Sequence, residues 1–234
     1  MRTVETRKLE PFRQENTRAA LPGSGPEADR YANLARWYDL TASRALYSAH
    51  ARIVALCAER GFARILDAGC GTGRLAAMLR AKGIRVTGMD SSPAMLARAA
   101  CDATFPADIP LVLGSLPFPF APQSFDAVVL SLVLHESAEE PEALLAEALR
   151  AAPVCVVLEW RMPERNLDYL AQPLVHAIER IAGKRHYTRF RQFACGGYLH
   201  GAAMRVGARV VSEEALKAAT LVLAEVTAVS KITA

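Results

Sequence analysis

The sequence lacks the paired cysteines of a disulfide framework. It contains five cysteines, none of them in a CxxC pair. An odd, dispersed set without a secretory signal is typical of reducing compartments, so we expect free thiols in a cytoplasmic protein. These cysteines are Cys57, Cys70, Cys101, Cys155 and Cys195.

Long apolar runs and a strong net charge are also absent. No stretch approaches the roughly 18 apolar residues that a membrane-spanning helix needs. The N-terminus begins with polar residues of both charges, unlike a secretory signal. The formal net charge of +4 permits an acidic partner without indicating one.

The sequence does contain enough apolar material for one α/β domain. It has 234 residues, of which 52% are hydrophobic, and it shows no internal repeat or low-complexity tract. Residues 1–27 interleave basic and acidic side chains and end in LPGSGP, which predicts a flexible arm. Residues 28–234 are predicted to form a single domain that begins with two cap helices over residues 28–60.

The rest of the chain alternates short apolar runs with helical segments, which predicts a parallel sheet covered on both faces. A helix is expected to open at Ser92, a hydroxyl cap followed by Pro93. The last two runs are joined by a short polar link and predict an antiparallel edge pair. The fold class is therefore a Rossmann-like, doubly wound, mostly parallel seven-stranded sheet with helices on both faces. The predicted strands are residues 63–66, 84–89, 111–113, 127–132, 154–158, 208–211 and 221–229.

The most informative stretch is ILDAGCGTGRL at residues 65–75, at a predicted strand-to-helix turn. An open α/β sheet binds its ligands beyond the carboxyl ends of such strands. Alternate glycines let a ligand approach the backbone closely. The spacing is GxGxG rather than the GxGxxG of dinucleotide binders, since Arg74 stands where the third glycine of that motif would be.

Asp90, at the end of the second strand, is a second acid directed to the same edge. A carboxylate there can accept hydrogen bonds from both hydroxyls of a ribose, although an acid at this position can also cap a helix. Asp67 and Asp90 facing one pocket suit a cationic ligand. S-adenosylmethionine carries a sulfonium and an ammonium, and no phosphate.

With these residues in place, the chain resembles the class I S-adenosylmethionine-dependent methyltransferases, of the type 11 group that includes quinone-biosynthesis and phospholipid methyltransferases. Any single matching segment is common, whereas the ordered set is specific. The segments are residues 31–39 (YANLARWYD), 65–73 (ILDAGCGTG), 86–90 (VTGMD), 114–120 (GSLPFPF) and 124–136 (SFDAVVLSLVLHE).

The resemblance implies a set of contacts with the cofactor S-adenosylmethionine, which leaves as S-adenosylhomocysteine. Ser115 departs from the family, which often has an acid there to bind the adenine amino group; a hydroxyl can still accept that bond, directly or through water. By resemblance, the methionine end lies on Asp67, Gly69, Cys70, Gly71, Gly73 and Ser131, the adenosine on Met89, Asp90, Ser91, Ser115 and Leu116, and the closing aromatics are Tyr31 and Tyr38.

The catalytic demands of methyl transfer are modest, because the donor is already activated and the enzyme mainly aligns the acceptor and excludes water. His135, followed by Glu136, is the candidate general base, although a histidine there can simply shape the pocket. Glu159 could orient an amine or hydroxyl. Glu159 and Trp160 do not resemble the acidic pair of metal-dependent catechol-type enzymes, so we expect no metal.

Residues 162–207, between the fifth and sixth strands, are expected to build the acceptor pocket. Their basic cluster is either a solvated turn or a patch for an anionic substrate or membrane surface. We expect a small-molecule or lipid-like acceptor, at most peripheral membrane contact and no nucleic acid, since no base-stacking segment or basic recognition domain is present. The cluster comprises Arg180, Lys184, Arg185, His186, Arg189 and Arg191 around Tyr187 and Phe190.

Two other functional classes stay open on sequence grounds. One is a cofactor-binding pseudoenzyme or regulatory subunit, which Ser115 alone favours. The other is a nucleotide-dependent oxidoreductase, against which the GxGxG spacing argues. The acceptor, the methylated atom and the oligomeric state are not encoded in any motif of this chain.

Overall fold

A computed structural model describes residues 43–163, 166–181, 183–216 and 221–229. In chain order the elements are α1 (Ser43–Glu59), β1 (Arg64–Ala68), α2 (Arg74–Ala81), β2 (Arg85–Asp90), α3 (Pro93–Cys101), β3 (Leu111–Leu113), β4 (Ala127–Ser131), α4 (Pro141–Ala151), β5 (Val154–Trp160), α5 (Asn166–Ile181), α6 (Lys184–Cys195), α7 (Tyr198–Arg205), β6 (Ala208–Ala215) and β7 (Leu221–Ala228). The predicted arm and the first cap helix lie outside the described residues.

The seven strands form one sheet in the order β3-β2-β1-β4-β5-β7-β6. The first five strands are parallel, and β7 pairs antiparallel with both β5 and β6. The predicted fold class is thus confirmed, including the antiparallel C-terminal pair. Strand β7 lies between β5 and β6, so β6 forms the edge of the sheet.

The central strands of the sheet are buried from solvent. Four consecutive residues of β4, from Ala127 to Leu130, are fully buried. Such uninterrupted apolar strands are expected where helices cover both faces of a parallel sheet. The predicted cap of α3 is also confirmed, since the Ser92 hydroxyl accepts the backbone N–H of Met95 at 3.3 Å.

Strand β1 runs further than the sequence indicated and includes Asp67. Parallel pairing with β2 extends this far, with Asp67 opposite Gly88 and Ala68 opposite Met89. The extra residues bring the acid to the carboxyl edge of the sheet.

The segment between β5 and β6 folds into α5, α6 and α7, and α6 contributes the buried Phe190 and Phe193. Every helix in the described ranges is too short or too polar to cross a bilayer.

The turn from β1 into α2 depends on Gly73, which precedes the helix in a left-handed conformation, with φ 77°. A Cβ at this position would lie 2.4 Å from Cε2 of Phe105. Gly83, just after the same helix, has φ +82° but nothing within 4 Å of a built Cβ. Comparing alanine substitutions at these two positions therefore distinguishes the cost of backbone strain from the cost of steric overlap.

We predict that Gly73→Ala lowers the free energy of unfolding by about 2–4 kcal/mol, because left-handed strain and overpacking add. The control Gly83→Ala bears only the strain, about 1–2 kcal/mol. Urea unfolding of both variants measures the difference. Equal losses would show that Phe105 moves aside without cost.

Candidate cofactor and acceptor site

A cavity of about 580 Å³ opens at the carboxyl ends of β1, β2, β3 and β4. This is where an open α/β sheet binds its ligands. Ten of the sequence-predicted cofactor residues line it, namely Asp67, Gly69, Cys70, Gly71, Met89, Asp90, Ser91, Ser115, Leu116 and Ser131.

The glycine turn forms the floor of this cavity. Gly69 and Gly71 both have positive φ, at 80° and 54°. A Cβ on Gly69 would lie 2.4 Å from Val133 Cγ2, whereas one on Gly71 would meet no atom of the described part of the chain within 4 Å. Gly69 is thus required by packing, and the space over Gly71 is available to a ligand.

Asp67 is the most unusual group in the cavity wall. Its side chain is 1% exposed, and its Oδ2 atom has no hydrogen-bond partner among the residues that the structure describes. Burial, aided by the neighbouring Asp90 carboxylate, raises the pKa of Asp67 to about 7, against a backbone hydrogen bond from Ala76. A buried, unpaired acceptor of this kind is costly unless a ligand supplies the missing donor.

Asp90 is held in place by the backbone of two turns. Its Oδ2 accepts the N–H of Gly71 at 2.8 Å, and its Oδ1 accepts the N–H of Ser92 at 2.8 Å. Burial raises the pKa of Asp90, and the backbone donors oppose that rise. A carboxylate has about four acceptor positions, so both oxygens can still receive ligand hydroxyls.

One residue of the cavity wall, His50, was not predicted from the sequence. His50 of α1 lies over Ser131, with Nε2 3.1 Å from the hydroxyl oxygen. Burial, with a smaller contribution from Arg74, lowers the pKa of His50 to about 4, so the imidazole is neutral at pH 7. No motif marks His50, which reads in the sequence as one polar residue in a helical segment.

Two other predicted site residues, Gly73 and His135, are described and do not line the cavity. Gly73 packs against Phe105. Tyr31 and Tyr38 lie outside the described residues. His135 is only 2% exposed and lies behind the cavity wall, whereas the adjacent Glu136 lines the cavity.

His135 is held by Glu159, whose Oε1 lies 2.5 Å from Nδ1. Glu159 is fully buried and also accepts the backbone N–H of Leu134 and Trp160, at 3.1 and 2.8 Å. The sequence suggested that Glu159 could orient an acceptor, but its burial and its hydrogen bonds leave it unable to do so. Burial lowers the pKa of His135, but Glu159 and Glu179 outweigh it and raise the pKa to about 9.

The far side of the cavity is formed by Glu179 of α5 together with His186 and Arg189 of α6. The basic cluster expected in this segment therefore divides. His186 and Arg189 turn inward, and Arg189 Nη1 donates to the Glu136 carbonyl oxygen at 3.1 Å. Arg180 is exposed and lies over the Tyr187 ring, 4.8 Å from its centroid.

We predict that Asp67 makes the cofactor-free protein less stable as pH rises. Its folded pKa of about 7 lies above the unfolded value of about 3.9. Its contribution is therefore complete below about pH 4 and is lost as pH rises through about 7, a change of about 4 kcal/mol. Urea unfolding from pH 4.5 to 8 should show this decline relative to Asp67→Asn. A pH-independent difference between the two proteins would contradict it.

Comparison with known proteins agrees with this geometry. Residues 66–152 match the family described as "Methyltransferase domain". The malonyl-(acyl-carrier protein) O-methyltransferase of Serratia marcescens is 35% identical over 147 residues, 58% of this chain and 53% of that protein. The demethylmenaquinone methyltransferase of Thermus thermophilus is 37% identical over 121 residues, 49% of this chain and 55% of that protein. The chain thus spans about half the length of these curated relatives.

The fold is shared with the magnesium protoporphyrin IX methyltransferase of Synechocystis PCC 6803, solved with bound S-adenosylhomocysteine. The TM-score is 0.57 at 17% identity, covering 86% of this chain and 94% of that one. This likeness concerns the fold alone. Residues 66–152 match a methyltransferase domain and carry the two acids at the glycine turn, so the chain is similar to the class I S-adenosylmethionine-dependent methyltransferases.

Proposed function

We propose that the protein transfers a methyl group from S-adenosylmethionine to a small-molecule acceptor held in the same cavity. The observation that carries the proposal is the buried Asp67 beside the partly buried Asp90, at a glycine turn open to a ligand. Two adjacent carboxylates would repel a phosphate and attract a cation. S-adenosylmethionine supplies that cation and an activated methyl group.

The residues around the glycine turn can be matched to successive parts of this cofactor, from its methionine end to its adenine. The unpartnered Oδ2 of Asp67 would accept an N–H of the cofactor's ammonium, and Asp90 would accept the ribose hydroxyls. Arg74 lines the same cavity and would face the carboxylate of the methionine end. Ser115 and Leu116 would border the adenine, with Met89 and Ser91 flanking the adenosine.

The acceptor would occupy the side of the cavity formed by Glu136, Glu179, His186 and Arg189. Charged groups of both signs there favour a polar or ionisable acceptor end. Leu116, Phe118 and Leu144 line the cavity too and suit an apolar portion. Two relatives are named for a malonyl-(acyl-carrier protein) and for a demethylmenaquinone.

Chemistry on such an acceptor requires alignment more than acid–base work, because the methyl donor is activated. The role of His135 as a direct base stays a prediction, and its burial behind the wall argues for a positioning role. The cytoplasmic location stays a prediction.

We predict micromolar binding of both S-adenosylmethionine and S-adenosylhomocysteine by calorimetric titration. Asp90→Ala should weaken it by about 10- to 150-fold, since it loses charge-assisted hydrogen bonds of about 1.5–3 kcal/mol. Asp108→Ala, which removes an exposed carboxylate paired with Arg80, should bind like the wild type.

A second arm follows transfer of a labelled methyl group to candidate acceptors. Cofactor binding without transfer to any acceptor would favour a regulatory subunit. No binding of either cofactor form would refute the proposal, and binding of NAD instead would favour an oxidoreductase.

A further inference from the structure

Two histidines and a glutamate meet beside the cavity, and nothing in the methyltransferase assignment uses them together. His135 follows β4, Glu179 lies in the last turn of α5, and His186 lies in the first turn of α6. One ligand atom from each of these residues lies within 4.8 Å of the others. His135 comes from a distant part of the chain, whereas Glu179 and His186 lie on the consecutive helices α5 and α6.

The atoms that face one another are those a transition metal binds. His135 Nε2 is 3.7 Å from Glu179 Oε2, longer than a hydrogen bond, and His186 Nε2 is in close contact with the same oxygen. Ligands of a tetrahedral zinc ion stand about 3.3 Å apart, given metal–ligand bonds of about 2.0–2.1 Å. Small shifts would therefore bring all three atoms around one ion.

Surrounding groups already orient two of these ligands. Glu159 Oε1 lies 2.5 Å from His135 Nδ1, which places the N–H on Nδ1 and leaves Nε2 as the coordinating nitrogen. Trp160 Nε1 donates to Glu179 Oε1 at 2.8 Å, which leaves Oε2 directed at the imidazoles. A carboxylate behind a ligating histidine is the usual outer shell of a zinc site.

We propose that His135 Nε2, Glu179 Oε2 and His186 Nε2 form a mononuclear divalent-metal site of the zinc type, with its open position toward the cavity. Two histidines and one glutamate make up a ligand set that catalytic zinc sites use, and such sites keep a fourth position for water or substrate. Glu179 and His186 line the cavity, so the fourth position would be accessible from it.

The metal site also has a consequence for the identity of the acceptor, and this consequence rests on the proposed function. A zinc ion lowers the pKa of a hydroxyl or thiol bound at its open position. The structure thereby favours an acceptor that presents such a group. The earlier expectation of no metal weighed only Glu159 and Trp160, and here Glu159 supports a ligand rather than being one.

The direct test uses the whole chain, stripped of metal with a chelator and titrated with Zn²⁺ by calorimetry and with Co²⁺ by visible absorption. We expect one equivalent bound with micromolar or tighter affinity, tetrahedral Co²⁺ bands, and a Tm that rises with Zn²⁺ concentration. His186→Gln should weaken Zn²⁺ binding at least about 10- to 100-fold, and Glu159→Gln by about 10- to 100-fold through loss of ligand orientation.

His176→Gln is the matched control, because His176 lies on α5 near the cluster, but its Nδ1 faces the Tyr187 hydroxyl at 3.0 Å. It should bind Zn²⁺ like the wild type. Wild-type protein that binds no Zn²⁺ or Co²⁺, or a His176→Gln variant that loses as much affinity as His186→Gln, would overturn the site. Cofactor titration of the same stripped sample is independent, so failure of the metal site and failure of the proposed function are distinguishable.

Discussion

The site depends on the electrostatic repulsion between two neighbouring carboxylates, those of Asp67 and Asp90. Parallel pairing of β1 with β2 places Asp67 and Asp90 at the same edge, and burial leaves Asp67 with an unsatisfied oxygen. The backbone N–H groups of Gly71 and Ser92 compensate Asp90, but nothing of the kind reaches Asp67 Oδ2. Within the described residues, Asp67 Oδ2 thus lacks a donor, which suits the ammonium group of the cofactor.

The sequence could indicate which residues line this half of the cavity because their determinants are local. Turns with positive φ favour glycine, and the glycine turn and the acid that ends the second strand both lie within residues 65–90. The three-residue apolar run of β3 and the hydroxyl cap of α3 were equally legible. What extended β1 through Asp67 was pairing with β2, which no local pattern contains.

The other half of the site was not predictable in the same way. Glu179 and His186 belong to a segment without family motifs, and their side chains meet His135 only after two helices fold back over the sheet. His50 reaches Ser131 across 81 positions of chain. In the sequence, His186 and Arg189 belong to a basic cluster. Which members of that cluster point into the cavity depends on how the helices pack, and no sequence pattern shows it.

The place of β7 between β5 and β6 has a consequence for how the chain reaches this fold. As the polypeptide leaves the ribosome, the five parallel strands can assemble while β6 has no partner, because its hydrogen bonds in the sheet are all to β7. During that interval β5 presents an open edge of unpaired N–H and C=O groups, the kind of edge on which other strands add. Residues 221–228, which are synthesised after the other six strands, both close that edge and recruit β6, so a nascent chain arrested just before them would expose this edge to aggregation.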